Sequence, residues 1–314
     1  MELIDVLRHN NAYNLIKSDM EHNMLSHSYL IVGDDPWVID TFIELIELLV
    51  YCDTHSACMQ CMECRKVLDG NNTNIYHVVS ANGKDIKVDE ISAMIEDTYI
   101  APYEDNYKVY TIARGETMNV QSQNKLLKTL EEPVGKKLIL IGTTNESNML
   151  DTIKSRCKKL YISPFTFDEA VSVIDTDREP SEVMRTFKLS GGKLSLMRDM
   201  LASNGSLATE YDKVVDMLLH LKSSRDLPAV VGMMDKKING ESGREFLSML
   251  EVVLRDTLTG SNTCLALIGY NARSIANIED LVSGARERLN FNASAQAVLD
   301  YVLFGILEVK YKCR

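Results

Sequence analysis

Four cysteines form the densest group of metal-ligating side chains in the sequence. Cys52, Cys58, Cys61 and Cys64 are spaced C-x5-C-x2-C-x2-C. Two successive C-x2-C steps gather three thiolates on one small turn, and a fourth, six residues earlier, can close a tetrahedron. Soft sulfur ligands at this spacing predict Zn2+, and four protein ligands leave no position for water, so the expected role is structural. His55 is the alternative fourth ligand. The chain has seven cysteines in all; Cys157, Cys264 and Cys313 lie far from the cluster and are expected to be ordinary core or surface residues.

A second chemistry is visible through its gaps. After a first apolar strand, a phosphate-cradling loop has the form G-x4-G-K-[ST]: glycines for close backbone approach, lysine for phosphate, a hydroxyl for magnesium. Here Gly33 is followed by Asp34-Asp35-Pro36-Trp37, then Val38-Ile39-Asp40 where Gly-Lys-Ser/Thr belongs. Ile39 replaces the cation and Asp40 the hydroxyl. Pro36 removes a backbone donor, and two aspartates bring negative charge to a place meant for anions. The acidic residues that hold metal and water at the end of a later strand are missing too. Lys108-Val109-Tyr110-Thr111-Ile112 runs into Ala113-Arg114-Gly115-Glu116, with Ala113 and Arg114 where acids belong. Glu116 is two residues too late and is expected to cap or begin the next helix. Both halves of a magnesium–nucleotide site are degenerate, so no nucleotide cofactor is expected and ATP hydrolysis in cis is not.

The elements that must position these residues follow from periodicity. Ser28–Gly33, Ile75–Val79, Lys108–Ala113, Lys137–Gly142 and Lys159–Ile162 are short, nearly continuous apolar runs bounded by turn residues, and predict strands. Helical patterns lie between them, around 36–50, 87–99 and 119–131. This alternation predicts an α/β fold, a parallel sheet buried on both faces by helices. Past Pro164 the strand signals stop and 3.6-residue periods take over, as in Phe246, Leu250, Val253 and Leu254. Gly191-Gly192 and Asn204-Gly205 break these helices, the latter a linker candidate. The expected organisation is an α/β domain over 1–165 carrying the cysteine module at about 52–64, a small helical lid over 166–205, and an all-α C-terminal domain over 206–314.

Composition narrows the classes. The net charge is −11, and neither the first 165 residues nor the remainder carries the basic excess of a protein that grips nucleic acid by bulk electrostatics. No apolar run approaches the length needed to span a bilayer. The first residues, Met1 to Arg8, carry acids within their apolar stretch and do not read as a signal peptide. The expected location is cytoplasmic, a reducing setting that disfavours disulfides.

Taken in order, the motifs resemble the AAA+ clamp-loader family of bacterial DNA polymerase III. The matching segments are His27-Ser28-Tyr29-Leu30-Ile31-Val32-Gly33, the cysteine cluster, and Asn124-Lys125-Leu126-Leu127-Lys128-Thr129-Leu130-Glu131-Glu132-Pro133. Thr143-Thr144-Asn145 and Ser155-Arg156-Cys157 complete the set. The resemblance is densest over 1–165. It implies an AAA+ P-loop-type domain with a helical lid and a C-terminal collar, in a hetero-pentameric ring that binds ATP at subunit boundaries. It also implies that Arg156 is offered in trans to a neighbouring ATPase subunit, where a guanidinium stabilises charge on the transferring phosphoryl group. The implied partners are the gamma/tau ATPase subunits and the delta subunit, with the sliding clamp and primer-template DNA reached through the complex. Thr144 and Asn145 lie near the family's first sensor position and are expected to serve as strand-end hydrogen-bonding groups. Lys125 and Lys128 are expected on a solvated helix face, near the family's DNA chamber.

Two other functions compete with a noncatalytic clamp-loader subunit. One is a working AAA+ ATPase of the gamma/tau kind, against which Ile39, Ala113 and Arg114 argue. The other is a zinc-dependent nucleic-acid-binding module, against which the acids Asp53, Glu63 and Asp69 around the cluster argue.

Overall fold

The computed structural model describes residues 2–80, 85–102, 106–132, 135–202, 206–233, 240–258, 270–290 and 293–312. Pro133, the linker candidate Asn204-Gly205, Cys264 and Cys313 lie outside them. The chain divides into two compact units, one formed by residues 1–175 with 193–195, the other by 176–192 with 196–314.

The first unit opens with α1 (Leu3–Leu7) and α2 (Asn11–Glu21) and then alternates strand and helix. In order come β1 (Ser28–Val32), α3 (Pro36–Tyr51), α4 (Met62–Leu68), β2 (Ile75–His77), α5 (Val88–Asp97) and β3 (Lys108–Ile112). They are followed by α6 (Val120–Glu131), β4 (Lys137–Thr143), α7 (Asp151–Lys154), β5 (Lys158–Tyr161) and α8 (Phe167–Val173). The five strands form one parallel sheet in the order β2-β3-β4-β1-β5. This is the expected α/β class. The apolar runs are continuous because both faces are covered: every residue of β3 and of β4 is buried. On one face Leu30, Tyr110, Ile112, Ile139 and Ile141 meet Ile91, Met94 and Leu126 from α5 and α6.

One expectation shifts here. The β2 strand stops at His77 rather than Val79, because it is the sheet edge. Val78 still donates to Thr111 O at 2.8 Å, whereas Val79 is 71% exposed. Helix α6 buries Leu126 and Leu130, but Leu127 is only partly buried and borders the core.

Helix α3 sets the position of both candidate sites, since its start follows β1 and its end leads into Cys52. Asp35 caps it by accepting from Trp37 N at 2.9 Å, and Pro36 takes the first turn, where its missing N–H costs nothing. Its inner face holds one anomaly. Glu47 is 3% exposed, and its Oε1 has no hydrogen-bond partner; His77 Nδ1 is 3.6 Å away and is engaged with Thr111 Oγ1 at 2.7 Å. Burial, with Glu44 nearby, pushes the Glu47 carboxyl up to about 8. The folded chain therefore keeps a proton on Glu47 that the unfolded chain releases above its ordinary value near 4.5. Stability from this group is complete at low pH and falls as pH rises through that window, by roughly 1.4 kcal/mol per pH unit. Glu47→Gln removes the loss. Urea unfolding should show the variant gaining on the wild type by roughly 3 kcal/mol between about pH 5.5 and 7.5, and a pH-independent difference would contradict this.

The second unit is helical. It holds α9 (Pro180–Ser190), most of α10 (Leu194–Ala202), α11 (Ser206–His220), α12 (Leu227–Gly232), α13 (Gly240–Leu258), α14 (Ala272–Asn290) and α15 (Ala295–Lys312). Gly191 and Gly192 end α9 with φ of 64° and 81°, a left-handed stop. The 3.6-residue stripes meet in one core built from Leu250, Val253, Leu254, Ile278, Val282, Val302 and Ile306, among others. Among the described residues no helix is long and apolar enough to cross a membrane.

Candidate functional site

The cysteine module begins where α3 ends. Cys52 is the C-cap of α3 and Cys61 the N-cap of α4, so two helix ends fix two of the sulfurs. The chain between them turns tightly through His55, Ala57 and Met59, with φ of 49°, 52° and 58°. Three left-handed non-glycine residues in alternation are a strained path. The path aims backbone donors at sulfur: Cys58 N–H donates to Cys52 Sγ, Cys61 N–H to Cys58 Sγ and Cys64 N–H to Cys61 Sγ, each at 3.4 Å. The four sulfurs all lie within 4.8 Å of one another, and Cys58 Sγ is 4.0 Å from Cys64 Sγ. Thiolates bound tetrahedrally to one ion at 2.3 Å sit about 3.8 Å apart, so the set fits a single metal.

The electrostatics point the same way. Burial opposes ionisation of Cys52, but N–H groups and the Thr54 hydroxyl outweigh it and carry the thiol down to about 5. Backbone donors at Gln60 and Cys61 lower Cys58 as well, while burial and its sulfur neighbours push Cys64 up. Without a cation the cluster cannot ionise fully; a divalent ion would let all four release their protons. Arg8 adds positive charge beside it, donating from Nη2 to Ala57 O at 2.5 Å. His55 is exposed, its Nδ1 turned to Leu49 O at 3.4 Å. The metal-capable group is the four cysteines, without His55.

The degenerate nucleotide pocket sits at the carboxyl ends of β1, β3 and β4, where open α/β sheets bind ligands. Ile39 fills its floor. This side chain is fully buried; a Cβ added at Gly33 would lie 3.1 Å from Ile39 Cγ1, and one at Gly142 would collide with Ile39 Cγ2. The helix N-terminus that would attract phosphate is covered by Asp35, which is 1% exposed and also accepts from Ser195 N at 2.7 Å, within the same unit. Only Asp34 of the two aspartates faces solvent. So Asp35 is the helix's own anion rather than a free repulsive charge.

Asp40 and Arg114, the replacements for the hydroxyl and an acid, meet each other. Arg114 Nη1 donates to Asp40 Oδ1 at 2.8 Å and Nη2 to Oδ2 at 2.7 Å, a forked pair joining α3 to the end of β3. The forked pair thus ties the start of α3 to the chain just after β3. Glu116, expected to cap or begin the next helix, does not cap α6. It lies in a 3-10 turn, Gly115–Thr117, and accepts from Thr144 Oγ1 at 2.8 Å and Thr144 N at 3.3 Å, while Asn119 caps α6. Thr144 and Asn145 are hydrogen-bonding groups at the end of β4; Asn145 accepts from Ser147 N at 3.0 Å. Arg156 stands apart from this pocket, just beyond α7, ion-paired with Glu131. Lys125 and Lys128 are exposed. The role of Glu131 had no spacing signal in the sequence, since it depends on a residue 25 positions away, whereas Asp35 directly before Pro36 is a local N-cap signal.

Comparison with known proteins adds kinship to this geometry. A family model described as DNA polymerase III, delta subunit, matches residues 8–166. The chain is 25% identical to the DNA polymerase III subunit delta' of Bacillus subtilis, over 94% of this chain and 94% of that protein. It is 25% identical to the DNA polymerase III subunit gamma of Buchnera aphidicola, over 54% of this chain but only 46% of that one. Among solved structures, a DNA polymerase III gamma subunit-related protein from Thermotoga maritima superposes with a TM-score of 0.51 at 16% identity, covering 95% of this chain and 99% of that one. That likeness bears on the fold. The family match takes in the sheet, the cysteine module and the Ser155-Arg156-Cys157 motif together, and on it the chain belongs to the DNA polymerase III delta-subunit family.

Proposed function

We propose that this chain is a delta-prime-type, noncatalytic subunit of a bacterial replicative clamp loader, which helps load the sliding clamp onto primed DNA. The observation that carries the reading is the self-filled pocket. Ile39 occupies the floor, Asp35 the phosphate-attracting helix end, and the Asp40–Arg114 pair the metal position. Each replacement satisfies groups that a nucleotide would otherwise have to satisfy, so binding Mg-ATP would break buried packing and an ion pair before gaining anything. Near full-length similarity to the delta' subunit of Bacillus subtilis supports the same reading.

In this account the chain serves a neighbour's ATP. Arg156 is exposed enough to reach another chain, with its side chain 31% accessible, and supplies the trans guanidinium. The gamma/tau ATPase subunits and the delta subunit are the proposed partners in a hetero-pentamer, held together by the C-terminal helices acting as a collar. Clamp and primer-template DNA are engaged through the assembly, in keeping with the acidic net charge of −11. The cytoplasm, a reducing compartment, is the proposed location. The metal is zinc, held structurally by Cys52, Cys58, Cys61 and Cys64. Similarity to gamma subunits favours a working ATPase as the second reading, and the missing lysine and acids weigh against it.

Co-expression with an ATPase partner tests the proposal. The expected outcome is a stable complex whose DNA- and clamp-stimulated ATPase requires this chain, while the isolated chain shows no turnover. Failure to co-purify, or turnover by the isolated chain, would refute it.

A further inference from the structure

Arg156 has both edges of its guanidinium committed within the chain. Nε donates to Glu131 Oε1 at 2.8 Å, Nη2 donates to the same oxygen, and Nη1 donates to Thr152 O at 2.8 Å. Glu131 is the last residue of α6. A carboxylate there lies at the negative end of the helix dipole, beside carbonyls that have no partner in the helix, and Glu132 follows. Such a position disfavours an anion unless a cation covers it, and Arg156 is that cation.

The backbones on both sides of the pair are tied to the start of β1. His27 Nε2–H donates to Leu130 O at 2.8 Å, and the fully buried Ser28 donates from Oγ to Arg156 O at 3.1 Å. Two adjacent residues thus fix the distance between the seat and the guanidinium. The pair remains open to solvent, with side chains 31% and 48% exposed, so an incoming anion can reach it.

We infer that Glu131 is the positioning residue for Arg156, holding the guanidinium at the end of α6 until the phosphoryl oxygens of a neighbour's nucleotide displace it. This rests on Arg156 acting in trans. Phosphate engages a guanidinium through the same forked edge that Glu131 occupies, Nε with Nη2, so the two anions compete for one set of donors. Release costs the complex the strength of one partly exposed ion pair. Removing that competitor is worth about two- to fivefold in the nucleotide concentration required.

The test is steady-state ATPase of the reconstituted complex at varied Mg-ATP. Glu131→Gln should lower the half-saturating ATP concentration about two- to fivefold with kcat unchanged, because Glu131 is already displaced when phosphate transfers. Glu131→Asp should restore much of the wild-type value, and Glu132→Gln should leave it alone. In the isolated chain, the NMR signal of the Arg156 Nε–H, assigned by its loss in Arg156→Ala, should shift in Glu131→Gln. An unshifted signal, an unchanged half-saturation or a reduced kcat overturns the inference. If those results come with loss of ATPase in Arg156→Ala, the trans role stands without the Glu131 seat. If Arg156→Ala itself leaves the ATPase unchanged, the trans role falls, and the seat with it.

Discussion

A Cys64→Ser chain is expected to emerge from purification without stoichiometric zinc and with its first compact unit clearly destabilised. Cys64 is fully buried, and its sulfur packs 4.0 Å from both Cys58 Sγ and Leu48 O. It therefore links the module to the body of α3. The loop carries left-handed φ at His55, Ala57 and Met59, and such residues cost on the order of 1–3 kcal/mol each unless the surroundings enforce them. Under the proposed zinc assignment, metal coordination would enforce them, because three backbone N–H groups of the module donate to the ligand sulfurs themselves. A loss of about 3 kcal/mol corresponds to roughly 6–12 °C in the melting temperature of a unit this size. Metal analysis and calorimetry check both parts. A metal-free variant melting at the wild-type temperature would show that the cysteines are incidental. Exhaustive chelation of the wild type should reproduce the defect, and added zinc should restore it whereas magnesium or calcium should not. Backbone donors already bias Cys52 and Cys58 toward the anion and burial holds the Cys64 thiol protonated, so rebinding should release the Cys64 proton.

The second large effect concerns Arg156. Arg156→Ala, assembled with wild-type partners, is expected to abolish stimulated hydrolysis at the one ATP site this chain faces. An arginine finger supplies about 10³- to 10⁵-fold in phosphoryl transfer, so that site drops out of the turnover rather than slowing slightly. In a rapid-quench experiment the loss appears as one equivalent fewer in the burst of phosphate. Arg156→Lys should rescue little, since an ammonium cannot present the planar fork. The side chain is partly exposed and pairs at the surface, so folding and assembly should survive the substitution; exposed pairs contribute about 1 kcal/mol or less. An unchanged burst from an intact complex would refute the trans role.

Much of the fold was legible because its signals are local. Five apolar runs flanked by turn residues marked the five strands, and C-x2-C steps marked the metal-capable turn. The degenerate pocket was legible only as a set of losses. The sequence shows Ile39, Asp40, Ala113 and Arg114 as departures from the pattern at four positions, but not that Asp40 and Arg114 pair with each other. Asp40 and Arg114 are separated by 74 positions and pair only because α3 and the end of β3 meet above the sheet. Asp35 read as repulsion, whereas the fold turns its carboxylate onto a helix N-terminus, and Glu116 read as a residue that caps or begins a helix, with no sign that Thr144 would engage its carboxylate. The cap at Asp35 is local, but the Asp40–Arg114 and Glu116–Thr144 pairs are long-range in sequence and have no periodicity to read. The same holds for Glu131 and Arg156, 25 positions apart.

These contacts sharpen the account. On the proposed reading, Ile39, Asp35 and the Asp40–Arg114 pair refill the places of residues that would serve nucleotide in cis, while Arg156 stays outside the pocket and partly exposed. Titration of the isolated wild-type chain with Mg-ATP, followed by calorimetry and by release of phosphate, tests this most directly. No binding heat at millimolar nucleotide and no phosphate are expected. Saturable binding of one nucleotide per chain, with or without turnover, would contradict it.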